Sequence, residues 1–290
     1  MTTRATRWFA ALTLMLAACG GERGGDGPKI TLRYHPPAGA EYRYTLEQRN
    51  AMTMESGPMS GMGKQEMVMR MHFTQAVAGP AEGGTAVRIT FDSVGMEAPG
   101  VPPEVMAREL NRMRGLRATV LFDERAQVIR TDFAPSPGVP PEMTAQMAAG
   151  LKAMAYAFPV QPVGPGDSWT IETELPIGQL PGVKSGAGSS TTKLTVRSVD
   201  VTGADTTLVL DVTTTFPEAP FELDLGGQRA TLRLAGTLTG DQHFSLTRGA
   251  VVSSTIKGNA RMRVSGGAMG AQTMEMNSDT ETTLRLREGP

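Results

Sequence analysis

The stretch MTMESGPMSGMGKQEMVMRMHF, residues 52–73, carries seven methionines and one histidine, and its reading decides how the rest of the chain is read. Before its glycine-rich middle, Tyr42, Tyr44, Leu46, Met52 and Met54 share one parity, while Glu41, Arg43, Thr45, Glu47, Arg49 and Thr53 share the other. After it, Met67, Met69, Met71, Phe73 and Val77 alternate with Glu66, Arg70, His72 and Thr74. A period of two belongs to strands with one buried and one wet face. The stretch therefore predicts a β-hairpin. If it is symmetric about the Gly57-to-Gly61 region, Met54 stands opposite Met67 and Met52 opposite Met69, all on one side, with Met59 and Met62 in the loop.

The same alternation recurs in Val87-Ile89-Phe91, Leu116-Ala118-Val120-Phe122, Leu208-Leu210-Val212 and Ala230-Leu232-Leu234. It returns in Ile256-Ala260-Met262-Val264 and Met274-Met276-Leu284-Leu286. Glycine-rich breaks such as Gly79 to Gly84, Gly203 and Gly266-Gly267 mark turns. The expected class is mainly β: a curved antiparallel sheet or half-barrel with one or two short helices packed on it. Pro102-Pro103-Glu104 opens one helix with Met106, Leu110 and Met113 on a stripe. Pro140-Pro141-Glu142 opens a longer one with Met143, Met147, Leu151, Met154 and Phe158, stopped by Pro159.

Two segments have counterparts later in the chain. Gly39-Ala40-Glu41-Tyr42-Arg43-Tyr44 parallels Gly166-Asp167-Ser168-Trp169-Thr170-Ile171, and Phe122 to Ile129 parallels Phe244 to Val251. These suggest two related halves, 29–160 and 161–290, within one β region spanning 29–290. No long linker separates them, so one continuous sheet and two domains both remain open.

At the N-terminus, Arg4 and Arg7 precede an apolar run, Trp8 to Ala18, too short to span a bilayer. It ends in Leu16-Ala17-Ala18-Cys19, which resembles the lipobox of bacterial lipoproteins. That resemblance implies a signal peptide over 1–18, a diacylglycerol thioether on Cys19 and a membrane-anchored protein of the cell envelope. Gly20, where Asp would stand for retention, is similar to the outer-membrane sorting pattern, facing the periplasm in a cell with two membranes. Cys19 is the single cysteine, so stability is expected from a core and not from disulfides. Residues 19–28 are glycine-rich and read as a flexible tether. Without the signal, 26 basic residues face 29 acidic ones, a net charge of −3. That balance gives no electrostatic footprint for nucleic acid.

The lipobox, the methionine-rich hairpin, the second helix, and Phe158-Pro159-Val160 leading into Val163-Gly164-Pro165-Gly166-Asp167-Ser168-Trp169 resemble a bacterial family of uncharacterised lipoproteins known only as a domain of unknown function. More distantly, a lipid-anchored curved sheet with covering helices is similar to periplasmic carriers of lipoproteins and lipids. Neither resemblance supplies catalytic residues.

Methionine fills irregular apolar space readily, and it is used in both helices and the C-terminal hairpin as well as in the opening stretch. Plain core packing, the lining of an apolar cavity, and a soft Cu(I) site all suit such a set. The expected ligand residues are Tyr42, Tyr44, Met52, Met54, Met67, Met69 and Met71, with Met147, Leu151 and Met154 as a lid. The Cu(I) alternative uses Met52, Met54, Met59, Met62, Met67 and Met69. Gly166-Asp167-Ser168 looks like a lipolytic serine block, but Ser168 runs into an alternating strand pattern, so a turn is expected there. His35, His72 and His243 are isolated. The expectation is a non-enzymatic, lipid-anchored protein without cofactor, binding a hydrophobic small molecule, a lipid or a protein partner. A purely structural lipoprotein is the remaining alternative.

Overall fold

The computed structural model describes residues 29–57, 61, 63–154, 157–175, 183–185, 188–224, 228–267 and 273–287. The elements are β1 (Glu41–Ser56), β2 (Lys64–Ala81), β3 (Gly84–Glu97), α1 (Pro103–Leu110), β4 (Arg117–Phe122), β5 (Val128–Phe133) and α2 (Pro141–Met154). Then come β6 (Ser168–Glu174), β7 (Val183–Ser185), β8 (Ser189–Thr202), β9 (Asp205–Asp224), β10 (Arg229–Ser245), β11 (Ala250–Gly266) and β12 (Thr273–Arg287). Among the described residues, eleven strands form one antiparallel sheet in the order β5-β4-β3-β2-β1-β12-β11-β10-β9-β8-β6, and β7 pairs with β9. The mainly β class with short helices is as expected. Among the described residues, no helix is long and apolar enough to cross a membrane.

The sheet is continuous through both halves, which join where β1 pairs with β12. Strands β1 to β5 make one meander, and β6, β8, β9, β10 and β11 another running in the same direction. The two pairs of similar segments fall at equivalent places. One pair opens β1 and β6; the other turns β4 into β5 and β10 into β11. Both of those later turns are built alike. Asp123 Oδ1 accepts the Arg125 and Gln127 N–H groups at 2.8 Å, and Ser245 Oγ accepts the Arg248 N–H at 3.0 Å. Each turn then passes through a positive φ, 61° at Ala126 and 60° at Gly249.

The opening hairpin is registered differently from the symmetric expectation. Thr53 pairs with Lys64, Met52 with Gln65, Asn50 with Met67 and Gln48 with Met69. The end of β1 belongs instead to β12. Ser56 Oγ donates to the Thr273 carbonyl at 2.9 Å and accepts the Glu275 N–H at 3.1 Å, next to a bulge that sets Met54 against Met276. The shift is even, so every side chain keeps its expected face.

The buried core falls into two clusters, each centred on neighbouring strands of the open sheet. One cluster joins Leu194, Val196, Leu208, Leu210, Val212 and Phe244 to Leu32, Phe158 and Val163; a second joins Ile89, Phe91, Leu116, Ala118 and Val120. Residues 29–36 and 157–163 form a strap over the first cluster. Ile30 and Val163 exchange backbone bonds at 2.9 Å, the Tyr34 N–H reaches the Glu124 carbonyl at 2.8 Å, and the Tyr34 ring lies 5.0 Å from Phe122. Helix α2 packs Met147 and Leu151 on the second cluster. The half-buried Met106 and Leu110 of α1, with Met113 just beyond it, agree with the expected stripe.

Phe158 departs from expectation, because it is not on α2. It is buried edge-on against Phe244 with ring centroids 5.1 Å apart. Its N–H donates to the Arg125 carbonyl and its carbonyl accepts from the Arg125 guanidinium, both at 2.7 Å. A residue that precedes proline is pushed towards extended backbone, and here that backbone finds a partner in the β4–β5 turn.

Three glycines let β10 and β11 lie close together. Added Cβ atoms at Gly236, Gly240 and Gly258 would collide with the backbone of Asn259–Ala260, Thr255–Ile256 and Thr237–Leu238 respectively. Only residues without Cβ let the two backbones approach so closely.

Candidate ligand-binding site

Register separates the two faces of the sheet by charge. Among the described strand residues paired in register with Tyr44 across the eleven strands, none is Asp, Glu, Lys, Arg or His. The opposite face carries the ions. Arg70 bridges Glu47 at 3.0 Å and Glu97 at 2.6 Å, Lys257 meets Glu281 at 2.9 Å, and Arg261 meets Glu275 at 3.2 Å. Hydrogen bonds from Arg70, and then from Arg49, hold the Glu47 carboxyl below its ordinary range. His72 lies on this face too, its Nδ1 3.0 Å from Thr45 Oγ1, and His243 faces Asp241 at 3.4 Å.

The charge-free face has two unlike ends. At the closed end, Tyr44 is 2 % exposed and stacks on Phe73 at 5.1 Å, and burial pushes its hydroxyl well above the ordinary tyrosine range. Tyr42 is half-buried and donates to the Arg248 carbonyl at 2.7 Å. Met71 packs beside Phe73 on the same cluster as Met147 and Leu151. Five expected ligand residues, Tyr42, Tyr44, Met71, Met147 and Leu151, thus belong to the packed end. Helix α2 lies against β5 and packs Met147 and Leu151 on the Ile89–Val120 cluster at that end.

At the open end, Met52, Met54, Met67, Met69, Met96, Met262, Met274 and Met276 are all half-buried. Met54, Met276 and Met262 are consecutive cross-strand partners on β1, β12 and β11, followed by Leu234 on β10. Met274 and Val264 form the next row, with Leu232 beyond. Directly opposed residues on neighbouring strands sit about 5 Å apart. The expected opposition of Met54 to Met67 and of Met52 to Met69 is replaced by this row. Met59, Met62, the side chain of Met154 and residues 1–28, with Cys19 and the expected signal peptide and tether, lie outside the described residues.

Between the two ends runs a band that the sequence reading passed over. Gln48, Asn50 and Gln65 of β1 and β2 share the face with Ser278, Thr280 and Thr282 of β12, and Thr280 Oγ1 donates to Asn50 Oδ1 at 2.7 Å. Following the parity of Tyr42 through to Met54 exposes Gln48 and Asn50 at once; attention to apolar members alone hid them.

Elsewhere, Gly166-Asp167-Ser168 is a turn entering β6. Gly166 has φ 87°, Asp167 Oδ2 accepts the Gly164 N–H at 2.9 Å and pairs with Lys29 at 3.0 Å, and Ser168 pairs with Thr195. The Gly164 bond first, and Lys29 second, hold the Asp167 carboxyl below its ordinary range. A hollow of about 640 Å³, lined by residues such as Glu55, Arg233 and Arg261, lies on the charged face. So does one of about 310 Å³ beside Arg49, Glu66 and Lys257. No family model matches the chain and no curated protein matches it.

Proposed function

We propose that this is a lipid-anchored envelope protein, non-enzymatic in its action, which binds a hydrophobic ligand on the open end of its charge-free face. Cys19 carries the anchor, and the body faces the periplasm from the outer membrane where a cell has two membranes. The observation that carries the binding reading is the combination of a sheet face without charged side chains among the described strand residues and a methionine end that stays half-buried while the other end is packed shut. A greasy moiety entering there leaves water for surface that cannot hold an ion, and thioether side chains adjust to its shape. Native mass spectrometry of the full-length protein released from its own membrane tests this. A lipid-sized mass beyond the anchor is expected, and a Met276→Lys variant should lose it. A bare protein that also takes up no added acyl-chain probe removes the reading.

The row Met54–Met276–Met262 supports a second reading, Cu(I) held by converging thioethers, soft ligands suited to that ion. Titration with Cu(I) against a variant carrying leucine at those three positions separates the two; equal affinity eliminates the site.

A further inference from the structure

The band across the middle of the charge-free face gives the ligand a second property besides its hydrophobicity. Three registered rows run over β2, β1 and β12: Met69–Gln48–Thr282, Met67–Asn50–Thr280 and Gln65–Met52–Ser278. All nine residues are half-buried. The row after them is Met54–Met276, wholly apolar. Amide and hydroxyl groups therefore alternate with thioethers in a patch that leads directly onto the methionine end.

Such a patch discriminates by charge. Amides and hydroxyls both donate and accept, so they can replace water around a hydroxyl, ester or amide group. They carry no counter-charge. An ionised group desolvated against them would lose several kcal/mol of hydration without an opposite charge to offset it, and the nearest guanidinium and carboxylate side chains on these strands, such as Arg49 and Glu47, point to the other face. From Asn50 to Met54 the strand covers about 13 Å, enough for a head group at the band and a hydrocarbon segment beside the methionines. The Thr280–Asn50 hydrogen bond fixes the carboxamide orientation in advance, placing the Asn50 oxygen toward β12.

We infer that the ligand is an uncharged amphiphile whose hydroxyl, ester or amide head hydrogen-bonds to Gln48, Asn50, Thr280 and Thr282 while its hydrocarbon lies along Met54, Met276 and Met262. This rests on the hydrophobic-ligand reading above and narrows it to neutral heads, excluding fatty-acid anions and phospholipid headgroups from the band.

Full-length protein exchanged into amphipol is mixed with either 1-oleoylglycerol or oleate at about pH 9, well above the carboxyl range. Unbound lipid is removed and retained lipid is quantified by mass spectrometry. Oleoylglycerol should be retained about tenfold or more over oleate, reflecting the unpaired carboxylate. A Thr282→Val, Asn50→Leu variant that melts at the wild-type temperature should lose the preference while still retaining hydrocarbon. Should that variant fail to fold, the wild-type ratio alone decides. Equal retention, or preference for oleate, overturns the neutral-head inference and leaves hydrophobic binding standing. Retention of neither lipid overturns both.

Discussion

Tyr44, Phe91, Leu194 and Phe244 are each at most 4 % exposed, toward the end of the sheet that the strap 29–36 and 157–163 and helix α2 cover. Further along the same face, on β1, β11 and β12, Met54, Met262 and Met276 are half-buried. The two ends share a sheet, a parity and freedom from charge; what differs is the covering and the choice of side chain. Aromatic and branched residues, with few rotamers, fill the end that is finished by the chain itself. Unbranched thioethers, whose shape adapts more readily, fill the end that is not.

The sharpest way to break this contrast is to remove the same kind of bulk at both ends. Phe244→Ala should cost about 3–5 kcal/mol by cavity formation, whereas Met276→Ala should cost about 1 kcal/mol, the ordinary value for a substitution whose site is already partly wet. Equal losses in denaturant melts would show both ends to be packed alike.

The close approach of β10 and β11 comes next. Gly258→Ala places a methyl group against the Thr237 carbonyl and should destabilise by about 1–3 kcal/mol, measured in the same melts. A neutral result would mean that β10 and β11 separate without strain. Smaller still, leucine at Met54, Met262 and Met276 together should change stability by less than about 1.5 kcal/mol per site while altering ligand or Cu(I) uptake. That outcome assigns the methionines to adaptation and not to support.

The gentlest test concerns the strap. The Asp167 carboxyl is held down by Gly164 and Lys29, so the stabilisation it brings is complete above the unfolded value of about 3.9 and fades as pH falls through the lower folded value. Asp167→Asn should therefore lower stability at neutral pH and flatten the acid limb of a pH–stability profile below about pH 4, where variant and wild type converge. An unchanged acid limb would mean that the Lys29 contact does not fasten the strap.

Side-chain faces were legible in the sequence because strand parity survives local errors. The hairpin register slipped by an even number, and Met52 and Met54 kept their side. What alternation could not convey was where pairing ends, since that depends on Ser56 bonding to β12, a strand more than two hundred residues away. Strand β8 escaped notice for a related reason. Leu194 and Val196 begin an alternation that a bulge between Val196 and Ser198 resets, so Val199 resumes it on the opposite sequence parity. Similarly, Pro217 and Pro220 disguise the later part of β9, which runs through another register shift facing Leu234 and Gly236. In the candidate site, the thioethers were visible as a composition signal, while the amide and hydroxyl band needed Ser278, Thr280 and Thr282 to be brought beside Asn50 by a non-local pairing.

That pairing of β1 with β12 has a kinetic side. Strand β1 is held between β2 and β12, and β12 between β1 and β11, so neither meander completes the sheet alone. Until the residues of β12 have left the ribosome, β1 and β11 each offer a long unsatisfied edge. Closing the gap demands a loop of the whole intervening chain, a topology that folds slowly and rewards a chaperone able to shield bare strands in the meantime.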